Sequence, residues 1–345
     1  MKTGSMVHKL EFDSHNQELQ KFSVNVVRFL LSHKAPVVES FHFKVEGPLR
    51  SIDIGIWTGI LSARHLRELE LNLSRGFTYR LSVSLLCSNT LETLKLQGPL
   101  LVDVSSPVCM KSLRTLHLVK VTYKDDKSVG NLLSSFPNLE HLIVHRGRHK
   151  SLVTFNIVAP FLKTLSIVGL ISGVKGGGYV INAPSLKYLD IKRLSCYQFC
   201  LIENASELVG ANIRGVYNTA NEMILESLKS VKRLSLGLTP LHQHAFTKTP
   251  MEVGDHWNQS KNVPHCLLSH LETFVWTRYD WERQEELQVG KYILMNARRL
   301  KRATFSTRPI GSNELDKLEE RCKMLKELDC LSRASDSCHF VFESE

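Results

Sequence analysis

Apolar residues along the chain recur in one short arrangement: apolar, two variable residues, apolar, one variable residue, apolar. The apolar triplets are Val38/Phe41/Phe43, Leu66/Leu69/Leu71, Leu91/Leu94/Leu96, Leu113/Leu116/Leu118, Leu139/Leu142/Val144 and Leu162/Leu165/Ile167. Leu186/Leu189/Ile191, a weaker Leu208/Ala211/Ile213 and Val231/Leu234/Leu236 close the series. The starts lie 28, 25, 22, 26, 23, 24, 22 and 23 residues apart. Each triplet ends on strict alternation. That is the period of a short strand with one face turned inward and the other outward.

A repeat of ~20–29 residues built this way is the leucine-rich type. One unit cannot bury its apolar side alone, so stacking must complete a continuous core. The expected fold class is α/β: a leucine-rich-repeat solenoid with a curved parallel sheet and helices or irregular returns on the convex side. Parallel neighbours require such return segments. Residues 125–136 and 221–231 read as return helices, since their apolar positions follow helical spacing. Residues 98–107 read as an irregular return, and 173–178 as a glycine-rich bend. Residues 17–32 carry Phe22, Val26, Phe29 and Leu30 on one helical face, which predicts a helix capping the open end.

The pattern breaks after residue 237. Residues 238–264 are rich in His, Pro, Thr, Asn and Asp and read as a loop or a degenerate repeat. Further apolar copies follow at Leu271/Phe274/Trp276, Leu300/Ala303/Phe305 and Leu325/Leu328/Cys330, with helical stretches at 281–298 and 313–323 and a last strand at 338–342. The expected organisation is a capping region at 1–37, repeats at 38–237, the loop at 238–264 and a C-terminal block at 265–345.

Composition narrows the class. Hydrophobic residues make up 43% and charged residues 23% of the 345, which excludes wholesale disorder. No apolar run approaches the ~18 residues of a membrane span, so no membrane partner is expected. Residues 1–12 alternate polar with apolar types and hold no secretory core. Net charge is +10, and residues 261–345 hold 14 basic and 14 acidic residues, so the excess lies upstream. The basic residues are scattered, as on a solvated surface. Eight cysteines form no Cys-x-x-Cys pair and read as reduced thiols of a nuclear or cytoplasmic protein.

Catalytic and cofactor motifs do not emerge. Residues 173–178 lack the Gly-Lys-Ser/Thr of a phosphate loop and lead into Tyr179-Val-Ile, a strand-like run. His242, His244, Asp255 and His256 match no metal-ligand spacing. Arg146, Arg148, His149 and Lys150 form the densest basic patch, without the interleaved aromatics of nucleic-acid recognition. No enzyme, no cofactor, no metal and no nucleic acid are therefore expected.

The side chains between the core leucines define a candidate binding face. They include Glu68, Glu70, Lys95, His117, His141, His145, Tyr188, Asp190, Lys192 and Arg214. Tyr188 and Arg214 are the expected anchors, because tyrosine and arginine dominate interface energetics.

Residues 109–146, together with the Ala-Pro pairs at Ala159-Pro160 and Ala183-Pro184 ahead of Leu-Lys, resemble plant F-box proteins with leucine-rich repeats. The runs VPHCLLSHLETFVWTRYDW, YILMNARRLKRATFS and KMLKELDCLSRASDSCHFVF resemble the FBD domain that ends many of them. The resemblance covers nearly the whole chain. It implies that 265–345 is an FBD block that continues and caps the solenoid. It also implies the substrate-recognition part of a Skp–cullin–F-box ubiquitin ligase, a receptor that binds an unknown target protein and does no chemistry itself. Residues 6–13 resemble the segment that follows the F-box, and no F-box is recognisable. A Skp-type adaptor is thus expected as a partner only if an F-box is encoded upstream. The alternative is an F-box-less repeat scaffold, or a non-functional remnant, that recruits no ligase.

Overall fold

The computed structural model describes residues 9–15, 18–33, 37–47, 51–73, 78–81, 85–86, 88–147, 154–169, 177–194, 199–216, 224–238, 263–279, 284–307 and 315–344. The chain divides into two compact units. The first comprises residues 1–170 with 176–184, and the second 171–175 with 185–345.

The first unit begins with strand β1 (Lys9–Asp13), helix α1 (Leu19–Ser32), β2 (Ser40–Val45), helix α2 (Ser51–Ser62) and β3 (Glu68–Leu73). It continues with β4 (Tyr79–Arg80), β5 (Thr93–Gln97), β6 (Leu100–Val102), β7 (Thr115–Val119), β8 (Thr122–Tyr123) and helix α3 (Asp126–Ser134). Strands β9 (His141–His145), β10 (Phe155–Val158), β11 (Thr164–Val168) and β12 (Gly178–Asn182) complete it. Its main sheet runs β1-β2-β3-β5-β7-β9-β11, with every neighbouring pair parallel. The register puts Leu69, Leu94, Leu116, Leu142 and Leu165 side by side in one column. Leu71, Leu96, Leu118, Val144 and Ile167 form the next. All ten are at most 1% exposed. Each fully buried side chain contributes roughly 1.5–3 kcal/mol, so these columns hold the unit together.

The second unit holds β13 (Tyr188–Lys192), β14 (Phe199–Asn204), β15 (Gly210–Val216), β16 (Arg233–Leu238), β17 (Thr273–Tyr279), β18 (Arg302–Thr307) and β19 (His339–Ser344). Strands β13, β15, β16, β17, β18 and β19 pair in that order, all parallel. Helices His265–Ser269, Gln284–Asn296 and Leu315–Asp329 supply returns. Here the two inner columns read Leu189, Ala211, Leu234, Phe274, Ala303, Phe340 and Ile191, Ile213, Leu236, Trp276, Phe305, Phe342. Ala303 stands between two phenylalanines and leaves room for an aromatic cluster. Phe305 packs against Phe274 at 5.7 Å, Trp276 at 6.1 Å and Phe340 at 5.2 Å between ring centroids.

One backbone device repeats in both units. The residue before each strand lends its carbonyl to two consecutive N–H groups of the next repeat. Arg67 accepts from Glu92 and Thr93, Glu92 from Arg114 and Thr115, and Arg114 from Glu140 and His141. Val209 accepts from Lys232 and Arg233, and Lys232 from Glu272 and Thr273. In the first unit these pre-strand positions carry Glu39, Arg67, Glu92, Arg114, Glu140 and Lys163, which alternate in sign. The Arg67–Glu92 pair closes at 3.9 Å and Arg114–Glu140 at 3.0 Å; Lys163 also reaches Glu140. Thr90 and Ser112 donate to the carbonyls of Leu66 and Leu91. These hydroxyls satisfy acceptors that packing would otherwise leave unpaired.

The repeat starts and helix α3 match the sequence expectation. The Asp125 carboxylate caps α3 by accepting from the Ser128 N–H at 2.7 Å. Four features differ. The edge strand beside β2 is β1, not a helix, because Leu10 and Phe12 continue the inner columns onto Phe41 and Phe43. Helix α1 follows that strand rather than standing first. Residues 98–107 are not wholly irregular: β6 lies there, and its parallel neighbours are β4 and β8. Helix α2 was not expected, since Ile52, Ile54 and Ile56 alternate in sequence; burial of Ile54, Trp57, Thr58 and Leu61 nonetheless follows the helical period. The expected copy at Leu325, Leu328 and Cys330 is helical. Its first two apolar positions are three apart, a spacing common to both patterns, but Met324 and Leu328 are buried while Cys330 is exposed. Most of the 238–264 segment and most of 173–178 lie outside the described residues.

Candidate interaction surface

Alternation places every second strand residue on the face opposite the leucine columns. In β3, β7, β9 and β11 these outward residues are half-buried, flanked by their neighbours rather than packed. Every candidate face residue falls there: Glu68, Glu70, Lys95, His117, His141 and His145 in the first unit, and Tyr188, Asp190, Lys192 and Arg214 in the second.

In the first unit the candidates neutralise one another. The Lys95 ammonium lies 2.7 Å from a Glu68 oxygen and 3.6 Å from a Glu70 oxygen. His42 Nε2 lies 3.6 Å from Glu68. The hydrogen bond from Lys95 holds the Glu68 carboxyl below its ordinary value, and Glu68 in turn raises Lys95. Among the described residues, His42, Glu68 and Glu70 are a group whose ligand atoms converge within 4.8 Å, as a metal site would require. Lys95 already supplies the positive charge between the carboxylates. Next along the face, burial first and Lys95 second push the His117 imidazole below 6.5, so it is neutral at neutral pH. His141 Nδ1 shares a hydrogen with Thr164 Oγ1 at 2.8 Å.

In the second unit the arrangement is open. Asp190 is held by Lys192 at 2.7 Å and by the Asn212 amide at 2.7 Å. The Tyr188 ring is 50% exposed, and the Arg233 guanidinium sits 6.0 Å from its centre. Arg233 Nη2 donates to the Tyr188 hydroxyl at 3.4 Å. Gly210 lies between Tyr188 and Arg233 in register, and a Cβ there would stand 3.1 Å from the Tyr188 ring. A Cβ at Gly237 would stand 2.6 Å from the Thr277 hydroxyl oxygen, with Arg214 Cγ in ordinary contact at 3.4 Å. Sequence reading missed Arg233, Gly210 and Gly237. Their signal was columnar: they occupy, repeat by repeat, the positions equivalent to Tyr188 and Arg214.

The other candidate chemistry resolves differently. Arg146 turns over the Phe155 and Tyr179 rings at 5.6 and 5.8 Å, so its charge serves packing. Arg148, His149 and Lys150 lie outside the described residues, as do His242, His244, Asp255, His256 and Cys196. Burial pushes the Cys200 and Cys266 thiols up to about 12, which leaves them protonated and unreactive. No helix among the described residues is long and apolar enough to cross a membrane.

Comparison with known proteins agrees with this architecture. Residues 259–305 match the FBD family model, and residues 54–208 match the model described as FBD-associated F-box protein At5g56370, LRR repeats. Among Arabidopsis thaliana proteins, F-box/FBD/LRR-repeat protein At4g00160 is 46% identical, across 98% of this chain and 86% of its own length. F-box/FBD/LRR-repeat protein At3g52680 is also 46% identical, across 98% and 85%. FBD-associated F-box protein At3g52670 is 46% identical, across 99% and 89%. No solved structure matches the chain. Leucine columns in register, an outward polar face and kinship over nearly the whole length lead to one conclusion: this chain belongs to the plant F-box/FBD/LRR-repeat protein family.

Proposed function

We propose that this chain is the target-binding part of a ubiquitin-ligase receptor, an interaction module rather than a catalyst. The outward faces of the two units would hold the target, and a Skp-type adaptor would connect the F-box of the receptor to the cullin. One observation carries this reading: in strand after strand the leucine side is sealed while the other side stays open and polar. That leaves a broad surface that folding does not consume. The names of the relatives supply the ligase context. Residues 259–305 match the FBD model, and strands β17 and β18 within them, followed by β19, extend the sheet of the second unit and would contribute to the same task.

The test uses the protein translated from its native transcript, tagged and recovered from plant cells. Co-purification of a Skp-type adaptor, with a target that accumulates when the gene is silenced, is the expected result. Substitution of face residues should release the target and keep the adaptor. A protein that never carries the adaptor, with a transcript encoding no F-box, would sink the ligase reading and leave a free-standing scaffold.

A further inference from the structure

We propose that the outward face of the second unit binds an acidic, extended segment of a partner protein. This rests on the protein-recognition reading above and narrows it to one face and one ligand chemistry. The decisive feature is a set of unpaired arginines on a floor cleared by glycines. Arg214, Arg233 and Arg302 all point outward and are exposed, and among the described residues no carboxylate pairs with any of them. Asp190 is consumed by Lys192 and Asn212. The surface charge is thus uncompensated, unlike the first unit, where Glu68 and Glu70 are matched by Lys95.

Local packing holds the arginines in place. Gly210 lets the Tyr188 ring lie across its strand toward Arg233, so the guanidinium sits against the ring with Nη2 donating to the Tyr188 hydroxyl, and its other donors face no carboxylate. Gly237 gives its space to the Thr277 hydroxyl, 2.6 Å from a Cβ built there, and Arg214 packs alongside at 3.4 Å. A guanidinium fixed in this way loses less freedom when it meets a carboxylate, and charge-assisted bidentate pairs are the strong ones.

Spacing selects the ligand. Arg233 and Arg302 sit at equivalent positions on strands two apart, since Thr273 stands between them in register. Two strand spacings are about 10 Å, and three residues of extended chain also span about 10 Å. A peptide crossing the strands with an acid at every third position would meet both. Asn212, Ser235 and Thr273 offer hydrogen bonds between the charges. Asp190 beside Lys192 disfavours a polyanion with a phosphate at every step, so a nucleic acid is the poorer fit.

The test is fluorescence anisotropy with the purified full chain and a labelled peptide of repeating Glu-Gly-Ser. Binding should weaken with salt, as a charge-driven contact does. Arg214→Gln/Arg233→Gln should weaken it by at least about tenfold, equivalent to about 1.4 kcal/mol. Gly210→Val, which displaces Tyr188, should weaken it without changing any charge. Lys111→Gln/Lys127→Gln removes the same charge elsewhere and should leave it unchanged. Unchanged melting temperatures certify that the variants fold. Equal loss in both double variants would mean non-specific attraction to a basic protein and overturn the proposal. So would failure to bind the peptide, or tighter binding of a labelled single-stranded oligonucleotide at the same arginines. If a cellular target is lost on substituting Glu68, Glu70 and Lys95 but not Arg214 and Arg233, this inference fails while the receptor reading stands.

Discussion

The two units share one repeat and one backbone hydrogen-bond ladder, yet they fill and finish it differently. From β3 to β11 the first stacks aliphatic columns, beyond the phenylalanines of β1 and β2, and it closes its outward charges on each other. The second stays aliphatic through β16, sets Ala303 among aromatics in β17, β18 and β19, and leaves arginines without carboxylate partners outside. The repeat therefore dictates which positions are buried, and not what occupies them. The outward face is free of that constraint, and there the units acquire separate chemistry.

Substitutions can break this contrast. Leu116→Asp would do the most damage. It puts a charge without a partner at the centre of a column that is 0% exposed; the loss should be about 5 kcal/mol or more, read by denaturant melting and by lost hydrogen-exchange protection in β5, β7 and β9. Trp276→Ala should cost about 3–5 kcal/mol by emptying the aromatic cluster. Ala303→Leu probes the difference directly: it restores the first unit's residue type in the second and should cost about 1–3 kcal/mol through overpacking against Phe274 and Phe340. If it stabilises instead, the aromatic core is underfilled and the contrast between the cores fails.

Smaller effects lie on the face. Glu68 has its folded value depressed below 4.5, so its contribution is present above that value and is lost as pH falls through the folded one. Lys95→Met should remove this acid sensitivity, flattening the stability profile below pH 4.5 relative to the parent. His117 also has a depressed folded value. Its neutral form favours folding, so that contribution is full above 6.5 and declines as pH falls below it. His117→Ala should leave melting near neutral pH almost unchanged and weaken the pH dependence just below 6.5. A melting shift of many degrees at neutral pH would mean that His117 is a core residue and that the outward frame is wrong.

Much of this was legible from the leucine triplets alone. Their spacing marks the strands, and the strands mark the outward residues, including all ten face candidates. What escaped has physical causes. Leu10 and Phe12 are too few to announce an edge strand until Phe41 and Phe43 stand beside them. Leu325 and Leu328 satisfy strand and helix spacing equally, and only burial separates the two. Cross-strand partners such as Glu68 and Lys95 lie a whole repeat apart in sequence, so pairing depends on side-chain placement. Glycines on a strand read as weakness; at Gly210 and Gly237 they make space for neighbouring side chains.

The alternating row of Glu39, Arg67, Glu92, Arg114, Glu140 and Lys163 gives the array a parity. Excising the single repeat that carries Arg114 would bring Glu92 beside Glu140, like charge against like on adjacent strands. Excising two neighbouring repeats would restore opposite signs. The contacts that close, Arg67–Glu92, Arg114–Glu140 and Glu140–Lys163, are each modest, on the order of 0.2–1 kcal/mol, while the alternation of sign runs along the whole row. Along this stretch the solenoid can lengthen or shorten in twos without electrostatic penalty and resists doing so in ones.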